Sequence, residues 1–517
     1  SLTSGYLLLY ASIVRTAREI NVNDLSIESL KPLFEIYEAT KQQKSQKSPK
    51  VARKALLSIG EVAFRIASLP INVQFPKQTG EVILESLNVE DQPMRHYAIR
   101  SISNLLTKSR YDEVFRLEKA ENAVIDFNYG DNPLMLDSYA VCLVMIYTKK
   151  EMEKKYHDKI EGVIKQLLTT NSSTARTMGI MLATCTNMLS QFQKDLELII
   201  NGGSIGELRS KALLTMCIIY QDNLDGFANI SQRFYSAVDK NESDETTIAI
   251  AKWSAIFSNK IISSVSKSKD YKHFAIILQA LSIKKCRNEI WTKSFENKFR
   301  SILKDANYDD PNCGYLLSII ETALYNNICD VMIVTDLIKA FNSKRSESRY
   351  NALKLVADAV SQPKIPQKLI TFIEDKFLPQ LTQLLKGDSM IADLAFRIFS
   401  QVSNADSQII SRIAEKERLP LIFSRIADNA SALLLAYNIV QTGQIMINDL
   451  VQAGLIDGII QSMSKVGNES TVNLLYSILF PVAKLMSEIP DTPQLQEMIK
   501  KISPLAQLAT KLAELII

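Results

Sequence analysis

One stretch, Phe377 to Pro490, limits what this chain can fold into more than any other. It holds three successive runs of one design: FLPQLTQLLKGDSMIADLAFRIFSQVSN, RLPLIFSRIADNASALLLAYNIVQTG and LIDGIIQSMSKVGNESTVNLLYSILFPVAK. Each reads as an apolar helix, a short polar turn and a second apolar helix. The runs recur about every 40 residues, a period that marks stacked helical repeats. A helix pair of this size cannot bury its apolar faces alone, but stacking on its neighbours buries a continuous core. The 517 residues also exceed what one ordinary core can serve, so growth by repetition fits the length.

The design is legible earlier in the chain. HYAIRSISNLL and SYAVCLVMIYT superpose without a gap, with Tyr97 on Tyr139, Ala98 on Ala140 and Leu105 on Tyr147. EGVIKQLLTTNSSTARTMGIMLATCTNML is a further unit, and GELRSKALLTMCIIY brings Ala212 to the place of Ala98. After a stretch with no clear register, ESRYNALKLVADAVSQP brings Ala352 there. Gly at 16 and Pro at 15 are scarce for the length. Sheets and tight hairpins need such turn residues, so helices joined by short polar loops are predicted. KQQKSQKSPK spaces Lys41, Lys44, Lys47 and Lys50 with no apolar residue among them. It reads as a solvated loop, with Pro49 opening the next helix at Val51. KNESDETT, residues 240–247, reads as an acidic loop.

These units resemble armadillo-type repeats of the armadillo/HEAT superfamily. In that family the last helix of each unit carries a small residue where helices cross closely. Ala98, Ala140, Ala212, Ala352, Ala395 and Ala432 fit that place, and Leu474 departs from it. Gly454 in DLVQAGLIDGII falls where a helix C-terminus is expected. The resemblance implies an all-α chain, a right-handed α-solenoid of armadillo/HEAT-like repeats. The expected organisation is N-terminal helices with the basic loop 41–50 (1–75), armadillo-like repeats (76–221), irregular helical repeats (222–342), and C-terminal armadillo-like repeats with a capping helix (343–517). Import receptors of the importin-alpha type line their groove with Trp and Asn four residues apart. Asn104 and Asn438 fall at the Asn place here, but the Trp places hold Arg100 and Leu434. Trp253 and Trp291 lie outside any clear unit. A ladder for nuclear-localisation signals is therefore not expected.

Signals for other chemistry are weak. A formal charge of +4 on this length gives no support to nucleic-acid binding, which needs clustered basic residues. The six cysteines form no C-x-x-C pair, and three lie in apolar helical runs as small hydrophobes, usage that suits a reducing compartment. His96, His157 and His273 are separated in sequence and read as helix-surface residues. Asn201 to Gly206, NGGSIG, lacks the Lys-Ser/Thr ending of a phosphate loop. It reads as a helix end at Gly202 and Gly203 with a new start at Ser204. No apolar run reaches the roughly 18–20 residues of a membrane span. No catalytic residue, cofactor or metal site is expected.

The surface is where function is expected. On a helix, residues i and i+4 share a face. Two and six residues beyond each reference alanine, the places hold Arg100 and Asn104, Lys354 and Asp358, Arg397 and Gln401, and Leu434 and Asn438. Other units place Cys142 and Ile146, Leu214 and Ile218, or Tyr476 and Phe480 there. A partner-binding groove formed by Arg100, Asn104, Lys354, Asp358, Arg397, Gln401 and Asn438 is therefore expected. Amides there could grip the backbone of an extended peptide, and arginines could pair with its carboxylates. The reading is a non-enzymatic protein-binding scaffold, adaptor or co-chaperone of the cytoplasm or nucleus, with an extended or helical protein partner. Myosin-directed chaperones of the UCS class are one armadillo family of similar size, and no motif selects them. The alternatives are a regulatory helical-repeat region of a larger enzyme such as a kinase, and a nuclear-transport solenoid.

Overall fold

The computed structural model describes residues 2–16, 27–42, 48–68, 74–108, 110–130, 132–202, 206–239 and 244–464, with Leu474, Leu475, Ser477 and Ile478. Among these residues the regular elements are helices, and no strand occurs. They fall into two compact units, Ser1–Asn223 with Ser236–Ile250, and Leu224–Tyr235 with Ala251–Ile517.

The first unit runs through α1 (Leu2–Thr16), α2 (Leu30–Gln42), α3 (Ser48–Ile66), α4 (Gln78–Glu85), α5 (Gln92–Leu106) and α6 (Leu117–Ile125). It continues with α7 (Pro133–Lys149), α8 (His157–Thr169), α9 (Ser173–Cys185), α10 (Gln193–Asn201) and α11 (Glu207–Tyr220). Helices α3, α5, α7, α9 and α11 pack each on the next, forming a ladder. α4, α6, α8 and α10 back α5, α7, α9 and α11 in turn. One ladder helix and one backing helix make one repeat, so the unit is a stack of helical repeats. Its core is continuous from rung to rung: Ile99, Ile102 and Leu105 of α5 and Leu143, Val144 and Ile146 of α7 have no exposed surface. Each such side chain contributes about 1.5–3 kcal/mol by leaving water.

α12 (Leu224–Asp239) and α13 (Asp244–Ser268) contribute residues to both units. The second unit continues with α14 (Phe274–Ala280), α15 (Lys284–Ile290), α16 (Lys293–Asp305), α17 (Gly314–Tyr325), α18 (Ile338–Phe341) and α19 (Ser346–Val360). Then come α20 (Gln367–Lys376), α21 (Leu381–Lys386), α22 (Ser389–Ala405), α23 (Ile410–Ile413), α24 (Leu419–Phe423), α25 (Ala430–Thr442), α26 (Ile447–Gln452) and α27 (Leu455–Ser464). Here the ladder is α14, α17, α19, α22 and α25, with α18, α21 and α24 backing its last three rungs.

Side-chain caps mark five of the ladder helices. Asp91, Asn132, Ser172, Asp388 and Asn429 precede α5, α7, α9, α22 and α25, and each accepts a first-turn N–H at 2.8–3.1 Å. A cap of this kind is worth about 1 kcal/mol. The backing helices α4, α6, α8 and α10 have no side-chain cap. Counting from the caps fixes the register. Ala98 and Ala395 each follow their cap by seven residues, and both are wholly buried. At the same count α9 carries Gly179, where an added Cβ would lie 3.0 Å from Leu167 Cβ of α8. In α25 that count reaches Ala436, one turn beyond Ala432, although both are buried. Two alanines a turn apart make the choice invisible to sequence alignment.

Other boundaries also differ from expectation. α3 starts at Ser48, so Pro49 sits inside its first turn, where a missing N–H costs nothing. Residues 244–247 of the expected acidic loop open α13 instead, since acidic residues favour a helix N-terminus. α11 starts behind Gly206 at φ +83°, a conformation glycine adopts freely, while Ser204 lies outside the described residues. So do Lys44, Lys47 and the expected capping helix at 502–517. Gly454, at φ +93°, ends α26 as its sequence context implied.

Candidate functional site on the ladder faces

In the second unit the polar ladder residues bind one another. Lys354 and Asp358 stand one turn apart on α19. Lys354 Nζ meets Glu321 Oε1 of α17 at 2.5 Å. The Glu321 carboxylate, helped by Asp358, holds the Lys354 ammonium above its ordinary pKa. Asp358 Oδ1 receives Arg397 Nη2 of α22 at 3.0 Å, and Arg397 Nε donates to Ser361 Oγ at 3.2 Å. The result is a string of alternating charge, Glu321–Lys354–Asp358–Arg397, across three rungs. Its members are partly exposed, so each pair is worth about 0.2–1 kcal/mol. Gln401 is half-buried on the same helix as Arg397.

Asn438 corrects the expected groove. It is only 6% exposed. Its amide donates to Ser400 O at 3.0 Å and to Ser403 Oγ at 2.9 Å, both on α22. Counted from Ala436 it takes the place that Arg397 takes on α22, and it acts there as an internal strut. A short amide reaches the neighbouring rung and stops; it has no length left for a partner.

The first unit is finished differently. Arg100 and Asn104 of α5 are half-buried, and neither side chain makes a hydrogen bond or ion pair among the described residues. Glu61 of α3 is 6% exposed. Burial raises its pKa, against the pull of Arg15 and Arg100. Burial lowers the pKa of His96, one turn before Arg100, and the Arg100 charge adds to that. Beyond α5 the face turns apolar. Cys142 and Ile146, expected on the open side of α7, are wholly buried. The Cys142 thiol donates to Ile99 O at 3.4 Å, and burial pushes its pKa up. The cap of α7 stands one residue farther from its alanine than that of α5, so Val141 and Met145 turn outward instead, both half-buried. Met181 of α9 and Leu214 of α11 are also half-buried, and Ile218 is 40% exposed. Thr148 Oγ1 and Cys185 Sγ lie 3.3 Å apart, one turn beyond Met145 and Met181, which brings those methionines onto neighbouring rungs of one face. Alignment by alanines misses Val141, Met145 and Met181; counting from Asn132 and Ser172 finds them.

Trp253 and Trp291 lie off both ladders, on α13 and at the end of α15. His157 shares the first turn of α8 with Asp158, and its Nδ1 lies within 4.8 Å of carboxylate oxygens of Asp158 and Glu161. Both acids are exposed, and a helix N-terminus favours them without a metal. Among the described residues no helix is long and apolar enough to cross a membrane.

No protein-family model matches the sequence, and no curated protein matches it. Among solved structures the chain is similar to the UNC-45 chaperone that binds and folds muscle myosin, at 12% identity and a TM-score of 0.36, covering 99% of this chain. This chain spans 63% of the length of that one. UNC-45 from Drosophila melanogaster aligns at 10% identity and a TM-score of 0.36, over 100% of this chain and 89% of that one. Kap121p aligns at 10% identity and a TM-score of 0.35, over 97% and 55%.

Proposed function

We propose that this chain is a non-enzymatic protein-binding scaffold, an adaptor or co-chaperone, and that the ladder face of its first unit takes an extended or helical segment of a protein partner. The observation that supports this most is the run from uncommitted Arg100 and Asn104 to half-exposed Val141, Met145, Met181, Leu214 and Ile218. Arg100 can take a carboxylate through paired N–H donors, and Asn104 can bond a peptide group. Methionine adapts its shape to varied apolar partners. Such a face suits a segment that alternates apolar residues with an acidic one. In the second unit Lys354, Asp358, Arg397 and Gln401 form a separate, weaker surface, because a partner there displaces existing bonds. Six free cysteines, four of them buried, suit a reducing compartment, so the cytoplasm is the proposed setting.

The test starts from the partner that wild-type protein retains, identified by mass spectrometry. That partner is then titrated calorimetrically against wild type, Arg100→Ala with Met181→Glu, and Leu198→Glu on α10, where Leu198 is 69% exposed. The ladder variant should lose about 1–3 kcal/mol of affinity and the α10 variant nothing. Equal affinities for all three would show that the face binds nothing.

A further inference from the structure

An open cleft of about 650 Å³ lies between the first turns of α19 and α22 in the second unit. That size falls in the range of about 300–1,000 Å³ that holds small ligands and anchor groups. Its floor is apolar: Leu353 is 4% and Phe377 5% exposed, and the Phe341 and Phe377 rings meet edge to face at 4.8 Å. Met390 stands at the mouth, 55% exposed, an apolar wall left in water.

The charged rim is already engaged. Arg349 Nη1 donates to Ser343 O at 2.6 Å and Lys344 O at 3.0 Å. Asp388 Oδ1 caps α22 by accepting from Met390 N at 2.8 Å. Glu347 pairs with Arg345 at 2.8 Å. A charged ligand would find each rim charge engaged, and entering would cost it hydration without return. Two rim side chains are different. Gln380 and Gln383 are exposed, and their amides make no hydrogen bond among the described residues. Each offers a donor and an acceptor, the complement of a peptide group.

We propose that this cleft binds a bulky uncharged side chain of a protein partner, of the leucine, phenylalanine or tryptophan kind, with the flanking peptide groups held by Gln380 and Gln383. The rim charges, already engaged, give a charged anchor little return, and the two amides select a peptide over a plain hydrocarbon. The site stands apart from Arg100 and Met181 in sequence and in its residues, so its failure and that of the first-unit face are read separately.

The probe is N-acetyl-L-tryptophanamide, which carries an apolar ring between two peptide groups. It is titrated into the full chain and followed by saturation-transfer NMR, beside N-acetyl-L-lysinamide and N-acetyl-L-glutamic acid amide. Wild type should bind the tryptophan probe saturably and neither charged probe. Met390→Glu, at a residue exposed enough to spare the fold, should bind it about tenfold more weakly, since a charge replaces apolar contact. Gln380→Ala with Gln383→Ala should also weaken it, while Leu198→Glu should not. No saturable binding by wild type, unchanged binding in Met390→Glu, or equal binding of a charged probe would overturn the proposal. Unchanged binding in the double glutamine variant would overturn the assignment to a peptide.

Discussion

The rungs from α5 to α11 and those from α17 to α25 share one helical frame but finish their outer faces with different chemistry. Between α17 and α25 the side chains that cross from rung to rung are long or polar, and they end on one another: Lys354 on Glu321, Arg397 on Asp358, Asn438 on Ser400 and Ser403. Between α5 and α11 the crossings are made by small groups, such as Cys142 to Ile99 O, and the larger side chains are left outward. A repeat frame fixes where a side chain stands, and length and polarity then decide whether it is used inside or remains available. Polar character alone is therefore a poor guide to a binding surface in a stacked chain: the arginine at 397 is engaged, and the methionine at 181 is open.

The largest effect should come from the frame that both regions share. Ala395→Leu puts three carbons into a wholly buried crossing and should cost about 1–3 kcal/mol. Thermal melts would report it, and an unchanged curve would mean that the register behind both faces is wrong. Next comes the strut found in the second region alone. Asn438→Ala should cost about 0.5–1.5 kcal/mol for each hydrogen bond lost, with Asn104→Ala near zero as its counterpart in the first region. Equal losses would erase the distinction between engaged and open amides. The smallest effect is expected for Arg397→Ala with Gln401→Ala. The half-exposed ion pair should contribute up to about 1 kcal/mol and fade as salt screens it. Urea titrations at low and high salt would measure that, and a salt-independent loss would show that the charge string is not what Arg397 contributes.

The frame is legible in the sequence because it rests on short, recurrent signals. A capping residue and a small residue seven positions later mark α5, α9 and α22 in plain view. Neither signal is present in α17. α17 joins the ladder only in the structure: it begins behind Cys313 with no side-chain cap, and seven residues on it carries Ile320, fully buried, instead of alanine. The site is less legible than the frame. Counting along the helices groups Lys354, Asp358 and Arg397, but sequence does not show that they satisfy each other. Asn438 counts as an open-surface residue only from Ala432, and Ala436 offers a second register one turn on. Met145 and Met181 read as core, since a methionine within an apolar run gives no sign of which side it takes.

The ladder has one more consequence, for the order in which structure forms. Within each unit the packed neighbours of a rung are its own backing helix and the rungs just before and after it. Chain segments that must find each other are therefore separated by about one repeat, and closing so short a loop costs little entropy. Low contact order of this kind favours rapid folding, and a nucleus can arise at any well-capped helix pair and spread in both directions. Damage spreads by the same route: a substitution that loosens one rung weakens its two neighbours first, and distant rungs of that unit keep their protection.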